Sequence, residues 1–267
     1  MDHLEELEHR SIYLIREAYR RFTPLGCLWS MGKDSTVLLH LVRKAFLGTF
    51  PFPVLHLDTG RKLAGIYRFR DRIAAEWGVP LAVVKNEAAL AAGMGPDSAG
   101  RLACCTALKT DTLKRALAEH GFRAVLLGIR RDEHGVRAKE RYVSPRTADF
   151  AWDAGRQTAE LWDLYARRES EGAHLRIHPL LHFTEADVWR YIRRENLPVC
   201  DLYFAKDGRR YRSIGCEPCC EPVASAAATV DDIIREIAEG RSEERGGRAQ
   251  DKENARAMEQ LRALGYM

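Results

Sequence analysis

The residues of this 267-residue chain best placed to do chemistry lie in one stretch, Leu25 to Leu41, LGCLWSMGKDSTVLLHL. A short apolar strand runs into small and polar residues and then straight into an amphipathic helix. Gly32 lets the backbone turn its amides toward a ligand, Lys33 adds a cation, and Ser35 and Thr36 stand where a helix cap is expected. A helix start with free N–H groups, a positive dipole end and a lysine is an anion site. The anion matched by several amides at once is a phosphate group. The spacing is not G-x-x-x-x-G-K-[ST], because no glycine stands upstream at the required distance. A plain strand-to-helix connection needs a cap but has no use for Lys33 followed by Asp34.

Cysteine forms the second constellation. Cys104 and Cys105 are adjacent just before an expected helix, and Cys216, Cys219 and Cys220 sit in the run SIGCEPCCEP. A C-x-x-C turn presents two thiolates to one metal, and four thiolates suit either zinc or a cubane iron–sulfur cluster. The adjacent pair favours the cluster, whose separate corners two neighbouring residues reach more easily than they reach one tetrahedral ion. Zinc and metal-free, buried or redox-labile thiols are the alternatives. Cys27 is expected in the core, while Cys200 and Cys220 are left over, Cys220 next to a candidate ligand.

These residues must be positioned by a regular scaffold. Leu4, Leu7, Ser11, Leu14, Ile15, Ala18 and Phe22 recur at helical spacing, so a first helix is expected to end before Pro24. The strand Leu25 to Trp29, the loop and a helix Val37 to Phe46 follow. Further strands are expected at Val54 to Leu57, Leu81 to Val84, Ala124 to Gly128 and Leu175 to Leu180. Helices are expected at Tyr67 to Trp77, Ala107 to His120, Ala186 to Glu195 with Thr184 as cap, and around Asp231 to Glu239 and Asp251 to Leu264. Trp152 to Tyr165 reads as a loop with a helical turn. Strand–loop–helix repetition of this kind predicts an α/β fold with a doubly wound parallel sheet. In such sheets ligands bind at the carboxyl ends of the strands, so the Ser30 loop, Asp58-Thr59-Gly60 and Gly128-Ile129-Arg130 should converge on one crevice. The charged run IRRDEHGVRAKERYVSPR leaves one strand end. It is either a solvated face or a source of arginines for that crevice, through Arg130, Arg131, Arg137 or Arg141. Residues 1–200 are expected to form the nucleotide-binding domain and 201–267 a cysteine-containing tail packed on the site.

Composition bounds the function. Hydrophobic content of 46% supplies a core, and a net charge of +4 is too small to argue for general nucleic-acid binding while allowing a basic cleft. The N-terminal MDHLEELEHR is polar, and no apolar run approaches a membrane span, so a cytoplasmic protein with neither membrane nor nucleic-acid partner is expected. Seven cysteines in a reducing compartment read as thiols or metal ligands, not a disulfide frame.

The loop SMGKDST resembles the S-x-G-x-D-[ST] pyrophosphate loop (PP-loop) of enzymes that split ATP between its α and β phosphates. From Leu4 to Tyr266 the chain resembles the small catalytic subunit of bacterial heterodimeric sulfate adenylyltransferase, within the phosphoadenylylsulfate reductase superfamily. The blocks that carry this are SMGKDSTVLLHLVRKAF, PFPVLHLDTGRKL, LKTDTLKRAL, RRDEHGVRAKER, TEADVWRYI, RSIGC and the closing ER-x-GR-x-x-D at Glu244 to Asp251. The resemblance implies an adenine nucleotide α-hydrolase-like, Rossmann-like fold. It implies that Ser30, Gly32, Lys33, Asp34 and Ser35 cradle the pyrophosphate part of ATP, with Asp58 beside the nucleotide; Thr36 and Gly128 are further candidate nucleotide-binding residues. It also implies that Lys33, Asp34, Arg130 and Arg131 serve the reaction with Mg²⁺. Cys104, Cys105, Cys216 and Cys219 resemble instead the cluster-binding pattern of the iron–sulfur adenylylsulfate reductases, which implies a [4Fe-4S] cluster. The reductases' catalytic cysteine near the C-terminus is missing from LRALGYM. Arg61 replaces an aromatic residue after Asp-Thr-Gly, and the loop between Tyr203 and Tyr211 is shorter than in the adenylyltransferase subunit.

Three activities follow. ATP and sulfate could give adenylylsulfate and pyrophosphate. An adenylated carbonyl of a nucleobase or small metabolite could be thiolated through the cluster or Cys220. A sulfonucleotide reductase would need a thiolate that only Cys220 could supply. The expected ligands are therefore ATP and a small oxyanion or carbonyl-bearing acceptor. A GTPase large subunit, a sulfur-donor protein or a second copy of the chain are the candidate protein partners.

Overall fold

The computed structural model describes residues 1–157, 159–160, 174–240, 244–245, 248 and 257–265. Helix α1 (His3–Arg21) opens the chain with a capping box in which the Asp2 side chain accepts from the Glu5 N–H. Strand β1 (Leu25–Leu28) then feeds the loop and helix α2 (Lys33–Ala45), followed by β2 (Val54–Leu57), α3 (Ala64–Trp77) and β3 (Leu81–Val84). Strands β4 (Ala124–Leu126), β5 (Val143–Pro145) and β6 (Leu175–Ile177) complete a six-stranded sheet in the order β3-β2-β1-β4-β6-β5. Five strands run parallel, and β5 joins β6 antiparallel at one edge.

The strand order reverses between β1 and β4, which places the crevice of the sheet beside the β1–α2 loop. On one face α1, α2, α3 and the helix Glu185–Arg194 bury Ile15, Val37, Leu41, Phe69, Val188 and Trp189 against Val54 and Leu126. On the other face the helix Asp111–His120 buries Leu113, Ala116 and Leu117 against Leu55 and Val125. Full burial of such aliphatic side chains is worth about 1.5–3 kcal/mol each, so the sheet is rigid where the loop leaves it. The tail contributes a two-stranded ribbon, Arg209–Arg210 with Val223–Ala224, and the helix Val230–Ala238, which packs on Glu185–Arg194.

Three local expectations are corrected. Helix α2 starts at Lys33, with Gly32 as an N-cap lacking a side-chain bond, so Ser35 and Thr36 sit in the first turn and do not cap it. Before Asp111–His120 the chain makes a short helix Arg101–Cys105 and a π-helical turn Thr106–Thr110, so the pair Cys104-Cys105 is itself helical. Part of the charged run forms β5, because Val143–Pro145 can pair with the β6 edge. Trp152–Arg156 is a loop with one 3₁₀ turn, while residues 158 and 161–165 of the expected helical turn lie outside the described residues. The helix expected from Asp251 is described only at Ala257–Ala263.

Candidate active site

The carboxyl ends of β1, β2 and β4 open into a cleft of about 230 Å³. Its walls include Ser30 and Gly32 from the loop, Lys33, Asp34 and Ser35 from the first turn of α2, His56 of β2, Lys62 beyond it, and Gly128 beyond β4. Tyr203, Ser213, Ile214, Gly215, Arg245 and Arg248 close it from the tail. The loop is tied at each turn. Ser30 N–H donates to Ser35 Oγ at 3.2 Å, Ser35 Oγ donates to the Gly32 carbonyl at 3.0 Å, and Trp29 Nε1–H donates to Thr36 Oγ1 at 3.1 Å. Met31 takes a left-handed φ of 64°, a strain that the surrounding bonds hold in place. At Gly128 a Cβ would stand 3.0 Å from the Asp34 carbonyl, so only glycine lets the β4 end lie this close to the loop.

Electrostatics are concentrated on Lys33 and Arg130, both buried. Lys33 Nζ donates to Asp34 at 3.1 Å and to Glu244, and Arg130 bonds Asp34, Glu244 and, at 2.9 Å, Asp132. Burial works to lower the Lys33 ammonium, but Asp34 and Glu244 raise it well above its ordinary value. A second pair of bonds joins Glu133 to Arg137 and to Arg245. Against its burial, these arginines hold Glu133 far below the usual carboxylate range.

Of the expected residues, Ser30, Gly32, Lys33, Asp34, Ser35 and Gly128 meet in the cleft. Thr36 and Asp58 stand behind it: Asp58 accepts from Gly60 N–H at 2.9 Å and from the Tyr67 hydroxyl at 2.8 Å. Arg130 is fully buried beneath the loop and does not face the opening. Arg131 turns away, bonding the Glu140 carbonyl at 3.4 Å and stacking over Tyr142, while Arg141 is exposed. Of the arginines in the charged run, Arg137 reaches the cleft wall. Sequence reasoning missed His56, Lys62, Lys109, Tyr203, Arg245 and Arg248 as wall residues and Glu244 as the acid between two cations. The PFPVLHLDTGRKL and ER-x-GR blocks were the available signal.

A second, small cavity adjoins the first and is lined by Thr59, Arg61, Arg101, Cys104, Cys105, Lys109, Cys216 and Cys219. Lys109 belongs to both walls. All four candidate ligands are buried free thiols. Burial and the neighbouring thiols push Cys104 up to about 11 and raise Cys219. Cys216 goes the other way. Burial raises it, but Lys109, Lys62, a 3.2 Å bond with the Thr59 hydroxyl and Arg248 bring it down to about 7. Among the described residues no three His, Cys, Asp or Glu side chains are gathered closely enough to hold a single metal ion. Cys220 lies beside the cavity, with Arg248 Nη1 donating to its Sγ at 3.0 Å. No helix among the described residues is long and apolar enough to cross a membrane.

Residues 24–222 match the family model of the phosphoadenosine phosphosulfate reductase domain. The sulfate adenylyltransferase subunit 2 of Methylobacterium sp. (strain 4-46) is 42% identical, over all of this chain and 95% of that protein. The protein of the same name from Azotobacter vinelandii is 39% identical, over all of this chain and 98% of its own length. Among solved structures, Candida glabrata FMN adenylyltransferase in complex with ATP superposes with a TM-score of 0.56 at 17% identity, covering 82% of this chain and 63% of that one. Phosphoadenylyl-sulfate reductase from Candida auris, in a phosphate complex, gives 0.54 at 20% identity, covering 84% and 97%. The structures establish the α/β fold. The full-length similarity goes further: the chain belongs to the sulfate adenylyltransferase subunit 2 family of PP-loop adenylyltransferases, within the phosphoadenosine phosphosulfate reductase domain superfamily.

Proposed function

We propose that this enzyme transfers the adenylyl group of ATP to sulfate, releasing pyrophosphate, and that it carries a [4Fe-4S] cluster on Cys104, Cys105, Cys216 and Cys219. The observation that carries the reaction is the full-length similarity to sulfate adenylyltransferase subunit 2, combined with a cationic loop at a helix start. A sulfate oxygen forms a bond to the α phosphorus while the bond to the pyrophosphate oxygen breaks, with attacking and leaving oxygens in line. Covalent catalysis is not needed, so the protein's work is positioning and charge stabilisation. Ser30, Gly32, Lys33 and Ser35 hold the pyrophosphate, and Gly128 leaves room for it. Asp34 orients Lys33 and Arg130, and Arg130 stiffens the loop from below. Arg137 and Arg245 take the part that the sequence assigned to Arg131. Mg²⁺ would arrive on the nucleotide's own oxygens, since the two carboxylates of the cleft wall among the described residues, Asp34 and Glu133, are engaged in ion pairs.

The donor set fits a cluster better than one ion. Zinc needs all its sulfurs about 2.3 Å from a single point, whereas a cubane gives each thiolate its own iron. The cationic rim of Arg61, Arg101 and Lys109 suits an anionic cluster. When bound it would brace the Cys216 loop against the helix Arg101–Cys105. The tail beyond residue 200 is read as a segment of the site, supported by Tyr203, Arg245 and Arg248 in the wall. A large GTPase subunit is the expected partner, in keeping with the subunit 2 names of the relatives.

The test is the reverse reaction: ATP formed from adenylylsulfate and pyrophosphate. Formation at rates that depend on both substrates supports the reading, and no formation by cluster-loaded protein sinks it. A second reading, ATP-driven thiolation of an adenylated carbonyl, is favoured by the near-neutral Cys216 thiol and by Lys109 shared between the two cavities. ATP cleavage that answers to a sulfur donor and a carbonyl acceptor, and not to sulfate, would select it.

A further inference from the structure

Among the described residues six cationic side chains line the nucleotide cleft, and their partners sort them. Lys33, Arg137 and Arg245 are matched to carboxylates, on Asp34, Glu244 and Glu133. Lys109 leans on the Cys105 sulfur at 3.6 Å. Arg248 is held by the Ser213 hydroxyl at 2.9 Å, the Cys220 sulfur and the Ile214 carbonyl. The Lys62 ammonium has no hydrogen-bond or ion-pair partner among the described residues.

Lys62 is nevertheless fixed at its root. Its main chain forms an antiparallel bridge with Cys216, and the next pair along is closed by Glu217 N–H donating to the Arg61 carbonyl at 2.8 Å. Its charge reaches two neighbours, helping to lower both His56 and Cys216. A half-buried ammonium with no counter-ion among the described residues, held on the wall of a cleft built for anions, calls for an anion from the ligand. The leaving pyrophosphate is met by the β1–α2 loop. Lys62 enters the cleft wall from a different element, the segment that follows β2, and so is separate from the residues that the loop offers to the leaving pyrophosphate.

We propose that Lys62 binds the acceptor oxyanion, contacting the sulfuryl oxygens of sulfate as it attacks and of adenylylsulfate once formed. This rests on the reading of the acceptor as sulfate. Lys62 exchanges no proton or electron; it supplies one charge-assisted hydrogen bond to a group that AMP lacks.

That difference provides the experiment. Equilibrium binding of adenylylsulfate and of AMP is measured for the wild-type protein, for Lys62→Met and for Lys62→Arg. Loss of one charged hydrogen bond should weaken adenylylsulfate roughly tenfold or more in Lys62→Met, while AMP stays within about twofold and Lys62→Arg recovers most of the loss. Equal weakening of both ligands would mean a structural role and overturn the proposal, as would unchanged adenylylsulfate binding. If the wild-type protein itself fails to distinguish adenylylsulfate from AMP, the sulfate reading falls and Lys62 with it. If the wild type and Lys62→Met discriminate equally, only the role of Lys62 falls.

Discussion

The Lys33 ammonium and the Glu244 carboxylate form a buried ion pair that joins the β1–α2 loop to a segment 211 residues later in the chain. Glu244 also reaches Arg130, so one acid holds two buried cations at the base of the cleft. Lys33→Ala should abolish most pyrophosphate release, by about 100-fold or more, because the proposed reaction gives this charge to the pyrophosphate as it leaves. Unchanged release would show that the loop is not the phosphate site.

Glu244→Gln keeps the shape but leaves Lys33 and Arg130 sharing Asp34. Loss of a charged hydrogen bond should cost about 2 kcal/mol, a Tm drop of roughly 4–8 °C for a chain of this size. Pyrophosphate should restore most of that Tm by supplying the missing negative charge. A Tm equal to wild type would mean that the ion pair contributes nothing.

Gly128→Ala tests the close approach at the crevice. The new methyl would meet the Asp34 carbonyl at 3.0 Å, and backbone cannot step aside as a flexible side chain can. KM for ATP should rise roughly tenfold with the far-ultraviolet circular dichroism unchanged. An unaltered KM would show that the loop and the β4 end do not act as one rigid cradle.

Acid should unfold this protein earlier than its carboxylates alone would require. Burial, with neighbouring cations, lowers His56 and His178 to about 4 and His174 to about 2. Their folded values lie below the unfolded one, so the unfolded chain binds more protons. Stability is then full above pH 6.5 and declines as pH falls toward 4. For His56 the shift sets an upper limit of about 3 kcal/mol over that window. Urea melts at pH 7.5, 6 and 5 should show falling midpoints, and a midpoint flat down to pH 5 would contradict the burial of these rings.

At the thiols, Cys216→Ala should remove most of the iron from anaerobically purified protein, whereas Cys27→Ala should leave it in place. Iron content and the visible spectrum decide the point. Retention of full iron by Cys216→Ala would remove Cys216 from the ligand set.

What the sequence could reveal depended on how local the cause was. The strands Val54–Leu57 and Leu81–Val84 have the bounds expected from their apolar runs, because flanking prolines and turn residues leave those runs no other length. The loop and the crevice were legible for the same reason: β1, the loop and α2 are contiguous. That Arg130 and Arg131 part company was not legible, because adjacent residues leaving a strand end point to opposite sides, one to Asp34 of the loop and one over Tyr142. The antiparallel strand β5 was hidden in a charged run, since its pairing is made by the β6 edge. Glu244, Arg245 and Arg248 stood in a quoted motif, but nothing local tells that their charges fold back onto Lys33, Glu133 and Cys220.

Tyr203 lies 170 residues from the loop, and its buried hydroxyl accepts the Lys33 N–H at 2.9 Å. Burial raises this phenol well above its ordinary value, so it stays neutral and keeps its proton. A hydroxyl that accepts from an amide still has one hydrogen to give, and the chain of two bonds polarises it toward giving. The first amide of α2 thus hands its hydrogen bond to a neutral hydroxyl in the cleft wall, so the tail keeps a donor beside the loop where the backbone N–H is itself already engaged.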